Sequence, residues 1–129
     1  DGQEKATLSA AGGADIVYSV SNVNLMFGAD ALSDSAGYDF FEGYIDEGSV
    51  WNKALSGAEL LAVYNSGVPI DLLTTSGYYD SSSNLQGWWR NGDTEGVSVY
   101  NNIEDYSSNS NDGRMTNMDA VDIVTVVPQ

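Results

Sequence analysis

The chain contains no cysteine and no histidine in its 129 residues. The first absence removes disulfide staples and thiolate nucleophiles, the second removes imidazole bases, and together they remove the usual zinc, copper and haem ligands. Most enzyme mechanisms go with them, and catalysis is not expected. Positive charge is scarce as well, with 4 Lys+Arg against 19 Asp+Glu and a formal net charge of -15. Such a surface repels phosphate backbones and anionic headgroups, so nucleic acid is not an expected partner. No apolar run approaches the roughly 20 residues of a membrane span, and no membrane insertion is expected. The opening Asp1-Gly2-Gln3-Glu4-Lys5 shows neither an initiator Met nor a basic region ahead of an apolar stretch. A fragment or a processed product is the expectation.

What is present is enough for one folded body. Hydrophobic residues make up 42% and aromatics 11%, with 3 Trp and 8 Tyr, too apolar for a disordered acidic tail. The length suits one core. Gly, Ser, Asn and Asp punctuate short apolar runs along the chain, the pattern of an all-β protein. Strands are expected at 15–21, 23–27, 40–51, 85–90 and 97–100, with a terminal edge strand at 123–127 ahead of Pro128. Gly48 is a candidate bulge position within the third of these.

One helix is expected. Ser56-Gly57-Ala58-Glu59 has capping-box spacing, in which hydroxyl and carboxylate each satisfy an orphan backbone N–H. Leu60, Leu61, Val63 and Tyr64 form its apolar stripe, and Asn65-Ser66-Gly67 before Val68-Pro69 forms its stop.

A longer stretch then resembles a known family. Phe41-Glu42-Gly43-Tyr44-Ile45-Asp46-Glu47-Gly48-Ser49-Val50-Trp51-Asn52-Lys53-Ala54-Leu55-Ser56-Gly57-Ala58-Glu59-Leu60, continuing to Val63-Tyr64-Asn65-Ser66-Gly67, is similar to the C-terminal signature of LamG-like, concanavalin A-like jelly rolls, "F-x-G-x-I-D-E-V-x-I-Y/W-N-x-A-L-S-x-x-E-[IL]…Y-N-x-G". Val23-Asn24-Leu25-Met26-Phe27-Gly28-Ala29 resembles the strand that precedes it. Gly48 departs from the pattern, where the family usually has Val, and this puts a core side chain in doubt. Leu85-Gln86-Gly87-Trp88-Trp89-Arg90-Asn91-Gly92-Asp93 and Asp105-Tyr106-Ser107-Ser108-Asn109-Ser110-Asn111-Asp112-Gly113 look like the segments that open such modules, although here they follow the closing signature.

The resemblance implies an antiparallel β-sandwich of jelly-roll type with one short helix, incomplete in this chain. Residues 1–70 would be the C-terminal part of one module and 71–84 a linker loop. Residues 85–129 would be an opening-like segment that either pairs with the first part or starts a second module. The wording around Trp88 and around Asp112-Gly113-Arg114 is similar to virion proteins of tailed phages that carry this module.

Three kinds of site are candidates. An Asp at the Asp46 position often helps to bind structural Ca²⁺ in the family, and Asp93, Glu95, Asp105, Asn111 and Asp112 supply further oxygens toward the six to eight or so that Ca²⁺ takes. The alternative for each loop residue is a solvated Asx-turn. Within the pair Asp46 and Glu47, one carboxylate facing solvent and one facing inward is the alternative to metal binding. Trp and Tyr faces stack on sugars, so Tyr78, Tyr79 and Trp88 are weak ligand-binding candidates, against core roles for Trp51 and for at least one of the neighbouring Trp88 and Trp89. Glycosidase dyads can be drawn among 19 acidic residues at will and carry no signal.

The expected function is a non-catalytic structural and adhesive module of a virion surface protein or another extracellular assembly, a tail appendage or a capsid decoration. Its expected partners are the other subunits of that assembly, further copies of itself and host glycans. The alternative is a carbohydrate-binding module of a secreted bacterial hydrolase or adhesin.

Overall fold

The computed structural model describes residues 25–31, 37–38, 40–91, 102–116 and 118–123. They fall into two compact units, one ending at Ile45 and the other running from Asp46 onward.

The first unit holds a short antiparallel ladder, β1 (Asp30–Ala31) against β2 (Gly37–Tyr38), with Asp30 opposite Tyr38 and Ala31 opposite Gly37. The Phe41 N–H closes onto Gly28 O at 2.8 Å. Gly28 has φ +78°, and a Cβ there would lie 2.8 Å from Ile45 Cδ1, so both backbone and space require glycine. Residues 25–27 form no strand, contrary to the expectation for 23–27.

The second unit is built on β3 (Gly48–Trp51), α1 (Gly57–Tyr64) and β4 (Leu85–Trp89), with a small ladder of β5 (Asn102–Ile103) and β6 (Gly113–Arg114). β3 and β4 pair antiparallel, Gly48 opposite Trp89 and Ser49 opposite Trp88, with a register shift between Val50 and Trp51. The opening-like segment therefore lies beside the closing signature. The long strand expected over 40–51 shrinks to Gly48–Trp51. Glu47 sits at φ 52°, in the left-handed region, and its N–H is taken by Asp46 Oδ1 at 2.8 Å, so the extended ladder cannot run back through it. The bulge falls after Val50, not at Gly48.

The helix forms where its capping signature puts it. The Ser56 hydroxyl accepts the Glu59 N–H at 3.2 Å and the Glu59 carboxylate accepts the Ser56 N–H at 2.8 Å. Asn65, in the left-handed conformation, ends the helix by returning its N–H to Leu61 O. The expected apolar stripe is only partly used. Val63, together with Ala62, packs on the core, while Leu60, Leu61 and Tyr64 are exposed.

The core is Leu72, Tyr79, Leu85 and Trp88, with Trp51, Ala62, Val63, Ile70 and Tyr106 packed around it. Trp88 and Trp89 point to opposite faces of β4, as neighbours on a strand must. Trp88 is buried, whereas the half-buried Trp89 lays its indole over Gly87, where a Cβ would be 2.8 Å from ring atom Cζ2. The described residues are thus strands and coil around one short helix, in small antiparallel two-stranded ladders. The strands expected at 15–21 and 97–100 lie outside the described residues, as does 124–127. Ile123 itself follows a short 3-10 turn, Ala120–Asp122.

Candidate functional site

Three polar constellations stand out in the second unit, and each locks loops onto the β3–β4 ladder.

The first centres on Asp105, which is 5% exposed. Its Oδ1 accepts the Trp88 N–H and the Ser107 N–H, each at 2.8 Å, and its Oδ2 accepts the Ser107 hydroxyl and the Asn111 N–H, again each at 2.8 Å. A carboxylate has about four lone-pair sites, and here all are filled by protein donors. Burial pushes the Asp105 pKa up, but the N–H groups of Trp88, Asn111 and Ser107 and the Ser107 hydroxyl outweigh it and hold the carboxyl below its ordinary range. Further ties run from this loop to β4. Gln86 O accepts Asn109 Nδ2 at 3.0 Å and Asn111 Nδ2 at 3.1 Å, and the Tyr106 N–H donates to Trp88 O at 2.8 Å. Residues 105–111 therefore occupy the edge of β4 opposite β3. Asp112 braces the loop from the other side, its Oδ1 accepting the Asp105 N–H at 3.1 Å.

The second is Glu47. Its Oε2 accepts Trp88 Nε1 at 2.6 Å and its Oε1 accepts Arg90 Nε at 3.3 Å. The Arg90 guanidinium lies 5.1 Å from the centroid of Trp88 and 5.7 Å from that of Tyr106, whose rings meet edge-to-face at 5.9 Å. Of the acidic pair at 46 and 47, Glu47 is thus the carboxylate that turns to the aromatic core.

The third is Glu59. Beyond its capping role it accepts the hydroxyl of the fully buried Ser81 and pairs with Lys53 Nζ at 3.4 Å. The Ser81 hydroxyl, the Ser56 N–H and the Ser56 hydroxyl, with Lys53, pull its pKa from 4.5 to about 2 against the opposing effect of burial. Nearby, Trp51 Nε1 donates to Tyr79 Oη at 2.9 Å and Tyr79 Oη donates to Leu72 O at 3.1 Å, with the two rings edge-to-face.

These placements correct several expectations. Tyr79 is not a surface residue. It is 0% exposed, because its phenol bridges Trp51 to the Leu72 carbonyl and its ring completes the core. Trp88, at 3% exposed, has no free face for a sugar. Tyr78 does lie at the surface, 79% exposed, on a turn closed by reciprocal Ser76–Tyr79 backbone bonds of 3.0 and 2.9 Å. Of the proposed calcium ligands, Asp105, Asn111 and Asp112 come together, but as donors and acceptors to one another, and Asp105 as placed has no lone pair left for a cation. Asp46 caps the Glu47 N–H. Asp93 and Glu95 lie outside the described residues. Among the described residues no three acidic side chains are grouped so as to hold a metal ion. Also among the described residues, no helix is long and apolar enough to cross a membrane.

Sequence reasoning missed Glu47, Ser81, Ser107, Asn109 and Arg90 as bracing groups. Glu47, Ser81, Asn109 and Arg90 reach partners 41, 22, 23 and 43 residues away, which no local spacing encodes, whereas Ser107 bonds Asp105 two residues back, the Asx-turn spacing named as the alternative for the loop residues. Comparison with protein-family models, curated proteins and solved structures finds no match to this chain.

Proposed function

We propose that this chain is a non-catalytic structural and adhesive module of an extracellular assembly, of concanavalin A-like jelly-roll type, such as the surface of a virion. One observation carries the reading. Among the described residues, the carboxylates with a shifted pKa, Asp105 and Glu59, are shifted downward and are bonded to scaffold donors. A general acid needs the opposite shift, so these groups hold loops in place and have no proton to deliver at neutral pH. The resemblance of 41–67 to the LamG-like closing signature supports the same reading.

A second reading, a carbohydrate-binding module, draws on Tyr78. An aromatic side chain held out by a closed turn offers a face for a sugar ring at low entropic cost. Sedimentation velocity and a glycan array on the whole chain separate the two. Assembly into a defined symmetric oligomer supports the structural module. A persistent monomer whose selective glycan binding is lost in Tyr78→Ala supports the second reading and overturns the first.

A further inference from the structure

β3 is partnered on one edge. The Trp88 N–H goes to Asp105 and Trp88 O receives the Tyr106 N–H, so the Trp88 peptide groups face away from β3. Ser49 stands opposite Trp88 in the ladder. By the alternation of an antiparallel pair, Ser49 must point its own N–H and C=O away from β4. Among the described residues no strand takes that edge. A groove of about 150 Å³ opens beside it, lined by Glu47, Ser49, Val63, Val68, Ile70 and Leu72 among others. Its lining is mostly apolar, with Tyr64 beside the aliphatic residues and Glu47 the acidic member, and the exposed Asp71 lies between Ile70 and Leu72 in the chain.

We propose that the outer edge of β3 accepts an extended segment of another protein as an added strand, one that alternates aliphatic with basic side chains. A free N–H and C=O pair in a strand recognises main chain, which only an extended partner presents in register. Aliphatic side chains at every second position would then enter the groove. Charge selects the alternate positions. The chain carries -15 overall, and Lys53 and Arg90, the cations of the β3–β4 region, are already paired with Glu59 and Glu47. At this edge, with Glu47 in the groove and Asp71 beside it, a basic strand is favoured over an acidic one, whatever other surface carries contacts between copies. Among the described residues the edge is open whatever family the chain belongs to.

The test is calorimetric titration of the whole chain with a capped hexapeptide of alternating Lys and Val. Three comparison peptides accompany it: an alternating Glu and Val hexapeptide, and the Lys/Val peptide N-methylated either on its Val amides or on its Lys amides. Saturable one-to-one binding of the Lys/Val peptide is expected. Methylation in one phase should weaken it roughly tenfold or more, and methylation in the other should leave it near the parent, because only one edge of the added strand faces Ser49. Ser49→Pro, and Val68→Lys in case the first variant fails to fold, should weaken binding likewise. Indistinguishable binding by all Lys/Val peptides would reduce the effect to bulk charge and overturn the proposal. So would absence of binding, equal binding of the Glu/Val peptide, or a concentration-dependent dimer abolished by Ser49→Pro, the last assigning the edge to a second copy.

Discussion

Replacing Asp105 with Asn removes one of the two carboxylate oxygens and puts an NH₂ group where donors already point. Turned one way the amide loses two of the four bonds, and turned the other way it loses one. Either the Trp88 and Ser107 N–H groups are left facing another donor, or the Asn111 N–H is, while the Ser107 hydroxyl rotates to accept from the new NH₂. A buried donor left unpaired costs about 1–3 kcal/mol, so the variant, in the better of the two orientations, should lose roughly 1–3 kcal/mol. In a unit of this size each kcal/mol moves the melting point by about 4–8 °C, which places the expected drop at roughly 4 °C or more.

Thermal melting followed by Trp fluorescence reads the loss directly, since Trp88 is one of the bonded partners. The pH dependence gives an independent check. The folded-state pKa of Asp105 is lowered, so its contribution is present above the unfolded value of about 3.9 and is lost as pH falls through the folded value. The wild type should therefore lose stability on acidification below about pH 4, and Asp105→Asn should lose less over the same range. The deficit should be equal in millimolar calcium and in chelator. A melting point within about 2 °C of wild type would refute the bracket, and a deficit seen only with calcium would return Asp105 to the metal ligands.

Glu59, held at about 2 against an ordinary 4.5, contributes stability above pH 4.5 that is lost as pH falls toward 2; Glu59→Gln should lower the melting point at neutral pH and flatten that acid limb, as circular dichroism will show. Ser56→Ala should cost about 1 kcal/mol through the lost N-cap, and an unchanged denaturation midpoint would place the helix start elsewhere. Tyr79→Phe leaves Trp51 Nε1 without its acceptor and Leu72 O without its donor, for a loss of about 1–3 kcal/mol with altered Trp emission; unaltered emission and stability would sink the bridging role.

The chain by itself determined what local chemistry can determine. The helix over Gly57–Tyr64 was legible because a capping box and a left-handed Asn65 stop act within a few residues of one another. The strand at Leu85–Trp89 was legible as a short apolar run after a polar turn-rich loop, and the opposite faces of Trp88 and Trp89 followed from it. Composition excluded disulfides and imidazole chemistry outright. Tertiary structure decided the rest. Asp105 looks like a loop acid in sequence, and its loop's own Ser107 and Asn111 fill three of its four bonds, but β4 supplies the fourth from the Trp88 N–H and ties the loop to the ladder. Tyr79 looks like the twin of Tyr78, yet the hairpin turn sends one ring into the core and the other to solvent. The long strand read at 40–51 stops at Gly48 because Glu47 leaves extended geometry and turns its carboxylate to Trp88 and Arg90, partners 41 and 43 residues on. Spacing encodes what the backbone does within a turn or two of itself. Whether a carboxylate is a ligand, a base or a brace depends on which donors the fold delivers to its lone pairs, and for Glu47 and for the burial of Asp105 and Glu59 those come from far along the chain.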